Sequence, residues 1–515
     1  MKIKSKGLDL NKCGSQFKIW CHDNRFLLKP FLVFLAVYLV AFSAMLIANV
    51  HYADDVARTV SGYPGWSAFS RYIDTVASYG LFADTYLTNI APLPQLIAIF
   101  MSAASSLIVV CVVSGREIFK KRWTEWIWRV VATTPLVLCP YFLECMAYQY
   151  DAVYMALSVL FVVLPLAFRK RSRLLYMVVL SVGMLGACMT YQASLGIYLT
   201  LVIFLTIKDW NEAENGKAGE SLKFAVWSAG GFLASLLFFQ KFLMRVRDVY
   251  VSNEVPEASS FFLQFTKHME QYFRLLTSDF RALWLGLMIL IAVGAGVLFI
   301  VRSKRNKILA SVVALVGIIA MTLAAYAPYS VLEKPLFATR AMYPIGGCVA
   351  ALGIYAVSGK FRKAVLMPVA ILAWCFFVFA LTFGNMLKEQ NDYRNMQVGM
   401  VMSDLNEILP EMEEGTKTLV VRGQIGFSPV VQNTPKDRYR ILRRLLGPTF
   451  GKDVPWMAHQ LSWTGMPGLM YDAQKAIEVD EDEMEVLRET AFYTIRGDKT
   501  TIVVEFKGEG FDFGS

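Results

Sequence analysis

Two adjacent carboxylates, Asp54 and Asp55, followed within one helical turn by Arg58, open a polar and aromatic stretch that runs from His51 to Gln95 between two long apolar runs. The stretch continues through Trp66, Arg71, Asp74 and Asp84. A carboxylate here can take a proton from a hydroxyl, provided a partner orients it; capping a helix just beyond a span is the structural alternative. Guanidinium groups grip phosphate oxygens in a fixed fork, which suits Arg58, Arg71 and, far along the chain in TRAMYPIG, Arg340. The alternative for such arginines is interfacial anchoring. Trp66 and Tyr63 suit stacking on a sugar face, or an aromatic belt. Glu144 and Asp151 stand at the ends of consecutive apolar runs in FLECMAYQYDAVYM, where burying an ionisable group is costly. Tyr191 and Gln192 break another apolar run and read as the lining of a cavity.

The elements that position these residues are membrane helices. Of 515 residues, 56% are hydrophobic, and the mean hydropathy of +0.45 is outside the soluble range. Spans are expected near 31–50, 92–114, 126–146, 152–168, two within 174–207, and near 222–244, 282–301, 308–326, 341–357 and 364–384, about eleven crossings at roughly twenty residues each. Lys and Arg cluster in alternate connections, the N-terminal tail, 116–122, 169–173, 208–223, 302–307 and 360–363, which therefore face the cytoplasm. The His51–Gln95 stretch, the turns at Tyr148 and Tyr191, the loop 245–281, the segment 328–340 and the C-terminal domain fall on the other side. The net charge of +10 thus sets topology, and no basic face interleaved with aromatics points to nucleic acid.

The fold expected is an α-helical polytopic membrane protein with a small C-terminal α/β extracytoplasmic domain. Its parts are a cytoplasmic tail over 1–30, a transmembrane region over 31–384 with an outer loop at 51–91, and a periplasmic α/β domain over 385–515. In the last, an amphipathic helix is expected over 385–409, a buried strand at 418–422, and a hairpin from 492–496 and 500–506 about Gly497-Asp498, with an acidic surface at 478–485. The basic N-terminus is too long and polar for a cleaved signal, so the first span remains an anchor. Cys13 and Cys21 precede it, six cysteines fall in or near apolar runs, and none follows Cys375, which excludes disulfides from the last domain. His22, His51, His268 and His459 are dispersed, and no Cys/His cluster suggests a metal.

No P-loop, HExxH or GxSxG is present, which argues against a nucleotide-driven pump or a soluble-type hydrolase. An outward-facing site has no nucleotide pool, so an activated group must arrive on a lipid. A transporter or flippase of lipid-linked sugars would show repeated halves with helices broken at the midplane, and no repeat is visible. An O-antigen polymerase or ligase would place its chemistry in a large late loop, for which 245–281 is the sole candidate.

HYADDVARTVSGYPGW, Arg71, APLPQ at 91–95, FLECMAYQYDAVYMALS and TYQASLGIY together resemble the phage-type serotype-converting glucosyltransferases that modify O-antigen, and through them the GT-C class. The resemblance covers most of the membrane region and only loosely the C-terminal domain. It implies inverting transfer of a hexose, glucose foremost, from undecaprenyl phosphate to a hydroxyl of a lipid-linked or polymeric glycan in the periplasm of a bacterium, by an enzyme of the inner membrane. On this pattern Asp54 or Asp55 is the catalytic base, arginines such as Arg58, Arg71 or Arg340 meet the phosphate, and Trp66, Asp84, Gln95, Glu144, Asp151, Tyr191 and Gln192 complete the substrate site. No cofactor is required, since arginines can replace a metal; the paired carboxylates leave Mg²⁺ or Mn²⁺ open. One departure is Ser70, where the family pattern has glycine before the arginine.

Overall fold

Each expected apolar run is helical in the computed structural model, which describes residues 22–214, 218–245, 254–359, 362–412, 416–434, 439–446, 469–471, 479 and 484–508. Most of the basic tail, Cys13, Cys21, His459 and most of the acidic stretch 478–485 lie outside the described residues. The first run makes α1 (Leu28–Ala41) and α2 (Ser43–Ala48), ending on Asn49 in the left-handed region. Two short helices, α3 (Asp55–Ser61) and α4 (Tyr72–Leu81), follow in the polar stretch before α5 (Leu93–Ser114).

The next run breaks into α6 (Trp123–Thr133), α7 (Pro135–Leu138) and α8 (Pro140–Ala147), with a 60° bend between Leu138 and Pro140. Proline has no N–H and so opens a helix without loss but interrupts one that is under way. Then come α9 (Ala152–Ala167), α10 (Arg173–Cys188), α11 (Leu195–Glu212) and α12 (Ala218–Phe238). The chain continues as α13 (Phe261–Asp279), α14 (Ala282–Arg302), α15 (Lys307–Ser330), α16 (Thr339–Met342), α17 (Pro344–Ala356) and α18 (Arg362–Ile408). Among the described residues six helices are long and apolar enough to cross a membrane, seven if the bent pair is one span, while α9 and α10 are apolar but shorter.

Close helix contacts explain the small residues. A Cβ on Gly346 of α17 would lie 2.2 Å from the Pro135 carbonyl, and one on Gly384 of α18 would lie 2.4 Å from the Met45 amide. Where lipid removes the hydrophobic drive between helices, such backbone approaches supply the packing.

One feature of the C-terminal region differs from the sequence expectation. The last apolar run and the amphipathic stretch after it form a single 47-residue helix, α18, roughly 70 Å long at 1.5 Å per residue. Beyond Gly384 its buried face, including Val398, Val401, Leu405 and Ile408, packs on a five-stranded sheet. The sheet contains β1 (Lys417–Gln424), β2 (Leu469–Tyr471), β3 (Glu485–Glu489), β4 (Tyr493–Gly497) and β5 (Thr501–Lys507), in the order β2-β1-β5-β4-β3. β1 runs parallel to β2 and β5, and β4 and β5 form the expected antiparallel hairpin, with Gly497 opposite Ile502. Two short helices, α19 (Pro429–Asn433) and α20 (Arg440–Leu446), follow β1. Val56 of α3 belongs to the sheet's apolar cluster, so this domain sits on the Asp54–Asp55 segment.

The connections gather at the two ends of the helix bundle. At one end Arg169 pairs with Asp209, Arg302 donates to Ser358 Oγ at 3.0 Å, Lys208 to the Val113 carbonyl at 3.0 Å and Arg305 to the Trp210 carbonyl at 3.4 Å. At the other end the 51–91 segment, the turns at 148–151 and 190–194, the 331–340 segment and the C-terminal sheet meet.

Candidate functional site

Asp54 and Asp55 have different surroundings. Ala53 turns the chain with a φ of 45°, a left-handed conformation that costs an L-residue about 1–2 kcal/mol, and α3 begins. Asp55 is fully buried, and its carboxylate accepts the backbone N–H groups of Gln149 at 2.8 Å, Tyr52 at 3.0 Å and Tyr150 at 3.3 Å. It fastens the 51–55 segment to the turn between α8 and α9. Burial pushes its carboxyl up to about 8, against the pull of the amides. Asp54 sits at the N-cap of α3 but makes no capping bond; its side chain is 49% exposed, 3.9 Å from Arg58.

Asp151 is the centre of the next layer. Arg58 forms an ion pair with it, Arg71 lies 3.7 Å from its Oδ1, and Trp66 Nε1 donates to the same oxygen at 2.6 Å. Arg58 lies over the Trp66 ring at 5.1 Å, and Arg71 over Tyr191 at 5.2 Å. Asp74 is buried close to Arg71, and desolvation raises its carboxyl well above the usual range. Ser70 takes a φ of 59°, the conformation a glycine adopts freely, which accounts for glycine at this place in the pattern. Its hydroxyl accepts the Arg245 N–H at 2.8 Å, a contact glycine could not make.

A second cluster adjoins the first. Glu144 accepts from Arg340 Nη1 and from the Arg340 backbone N–H, each at 2.6 Å, and from the Thr339 hydroxyl. The Arg340 guanidinium lies over Tyr148 at 5.9 Å, and Tyr148 meets Tyr52 edge to face at 4.9 Å. Both Arg71 and Arg340 act electrostatically on the Tyr191 hydroxyl, so Tyr191 joins the clusters.

Ten of the twelve residues assigned to the catalytic and substrate site from the sequence thus lie in or against one constellation: Asp54, Asp55, Arg58, Trp66, Arg71, Glu144, Asp151, Tyr191 and Arg340, with Gln95 donating to the Met146 carbonyl at 3.2 Å behind it. Gln192 is half-buried in the turn after Tyr191. Asp84 stands apart: it is exposed and caps a local turn through the Thr85 and Tyr86 amides, which hold its carboxyl below the usual range. Sequence reasoning missed Thr339 and the 149–150 amides. It also missed Asp279, at the end of α13, which pairs with Arg444 of α20 and accepts from Tyr141 at 2.9 Å. The late segment 245–281 therefore contributes a docking carboxylate.

The Asp55 oxygens accept backbone amides and Asp54 lies 3.9 Å from Arg58; among the described residues no group of three His, Cys, Asp or Glu side chains is placed to hold a metal ion.

Residues 43–351, more than half of the chain and all of these clusters except the Arg444 contact, match the family described as glucosyl transferase GtrII. The chain belongs to the GtrII glucosyl transferase family. It is also 23% identical over 177 residues to an uncharacterized 55.3 kDa protein in the gtrB 5′ region of Salmonella phage P22, a match covering 34% of this chain and 35% of that protein. The chain thus spans about a third of the length of the curated relative it matches. No solved structure matches it. The family match begins at Ser43, just before Asp54 and Asp55, and the described residues of this GtrII protein include six helices long and apolar enough to cross a membrane.

Proposed function

We propose that this GtrII protein transfers glucose from undecaprenyl phosphate to a hydroxyl of O-antigen or lipopolysaccharide glycan on the periplasmic face of the bacterial inner membrane, with inversion. All eleven apolar runs serve as crossings, the N-terminus is cytoplasmic, and the C-terminal domain is periplasmic. Asp54 takes the proton from the acceptor hydroxyl as its oxygen bonds to the anomeric carbon. The bond from that carbon to the phosphate oxygen breaks, and the polyprenyl phosphate leaves with the electron pair. Arg71 and Arg340, each partly exposed, meet the growing phosphate charge, while Arg58 and Asp151 hold the frame.

The observation that carries this reading is the contrast between the two carboxylates: Asp54 is open beside a cation, whereas Asp55 is enclosed by backbone amides. The test is to supply membranes bearing the protein with polyprenyl-phosphate β-glucose and acceptor lipopolysaccharide, and to read the product's anomeric signal by NMR. An α-linked glucose is expected. A β-linked product excludes single displacement, and labelled lipid moved across the membrane without transfer supports a flippase.

A further inference from the structure

Beyond Gly384, α18 carries a buried group that the glucosyl-transfer reading does not use. Arg394 is 5% exposed and Gln397, one turn on and on the same face, 1%. Arg394 Nη2 donates to the neutral Asn391 amide, and among the described residues no carboxylate pairs with the guanidinium. Arg394 Nε and Gln397 Nε2 have no hydrogen-bond partner among the described residues. Burial, with the nearby Arg394 charge adding to it, lowers the His51 imidazole to about 4. The group sits where three parts of the chain meet. Gln390, one turn earlier, donates to the Gly426 carbonyl at 2.8 Å and accepts the Ser428 N–H at 2.9 Å, and Val56 packs into the sheet cluster nearby.

Burying a cation without a counter-charge is strongly unfavourable, and every unpaired buried donor adds to that cost. A chain that keeps two such donors a turn apart is built for a ligand that arrives with acceptors and negative charge. We propose that Arg394 and Gln397, with His51 at their edge, form a binding site for a phosphate-type oxyanion, separate from the Asp151 and Glu144 clusters. A phosphate or diphosphate ester fits because it accepts on all sides and pairs bidentately with a guanidinium. The site stands about ten residues, roughly 15 Å, past the apolar part of α18, so a phosphate borne by a lipid-linked substrate and a soluble phosphate are both candidate sources. The inference does not depend on Asp54 being the base.

The test uses the full chain in detergent and follows the thermal unfolding midpoint against added inorganic pyrophosphate and, separately, farnesyl diphosphate, for wild type, Arg394→Met and Gln397→Met. Pyrophosphate is expected to raise the wild-type midpoint, and each variant to need at least about tenfold more ligand for the same shift. Ligand-free Arg394→Met is expected to melt at or above the wild-type midpoint, because a buried charge with no carboxylate partner among the described residues has been removed. Half-saturation by farnesyl diphosphate at lower concentration than by pyrophosphate identifies a lipid-borne ester; equal concentrations identify the phosphate group alone. Absence of any shift in wild type, or variants that respond like wild type, overturns the proposal. No step reads transfer activity, so this result and that of the glucosyl assay are independent.

Discussion

At the residue scale, the two neighbouring aspartates look interchangeable in the sequence because what distinguishes them, the amides of Gln149 and Tyr150, lies more than ninety positions away. The candidate arginines and Asp151 were legible, since charged groups at span ends are rare enough to be conspicuous. Asp84 was equally conspicuous but serves a local turn. Asp55→Asn leaves amide donors short of acceptors and is expected to cost about 1–3 kcal/mol, seen as a lower unfolding midpoint. Asp151→Asn removes the carboxylate that Arg58 and Arg71 share, and about 3–5 kcal/mol is expected to be lost. The pH dependence has a definite sign. The carboxyl of Asp55 is raised from 3.8 to about 8 in the folded protein, so the folded chain holds the proton more tightly than the unfolded one. The stability from this group is present below about pH 4 and is lost as pH rises toward 8. The midpoint of wild type should fall over that window relative to Asp55→Asn; parallel curves would contradict the assignment.

At the element scale, the apolar runs were legible as helices because length and hydropathy alone demand it. The 60° bend at Pro140 and the continuity of α18 through Gly384 were not, since neither leaves a periodicity change that a run of apolar residues would show. Tight crossings are set by glycines whose partners are distant in sequence. Gly346→Leu would drive its side chain into the Pro135 carbonyl and part α17 from α7. A loss of at least about 1–3 kcal/mol is expected, measured as reduced folded yield and a lower midpoint in detergent. Gly399, with open space around its Cβ position, is the control: Gly399→Ala should hold or raise stability.

At the scale of the whole molecule, the C-terminal domain is fastened over the end of the bundle that carries the 51–91 segment, at Val56, at the Tyr52 hydroxyl, which donates to the Leu445 carbonyl at 2.5 Å, and at the Arg444–Asp279 pair. None of this was legible, because each contact joins residues more than 160 positions apart across a change of composition. If the proposed orientation holds, alkaline phosphatase fused to the C-terminus is active and a fluorescent protein there is dark; the reverse pattern inverts the topology. The central claim, that one aspartate does chemistry and its neighbour holds the loop, is tested most directly by glucosyl transfer from polyprenyl-phosphate glucose in membranes carrying equal amounts of folded wild type, Asp54→Asn and Asp55→Asn. Asp54→Asn should retain the wild-type midpoint and lose transfer by about a hundredfold or more. Asp55→Asn should lose stability first and keep transfer in proportion to folded protein. Undiminished transfer by Asp54→Asn would contradict the account.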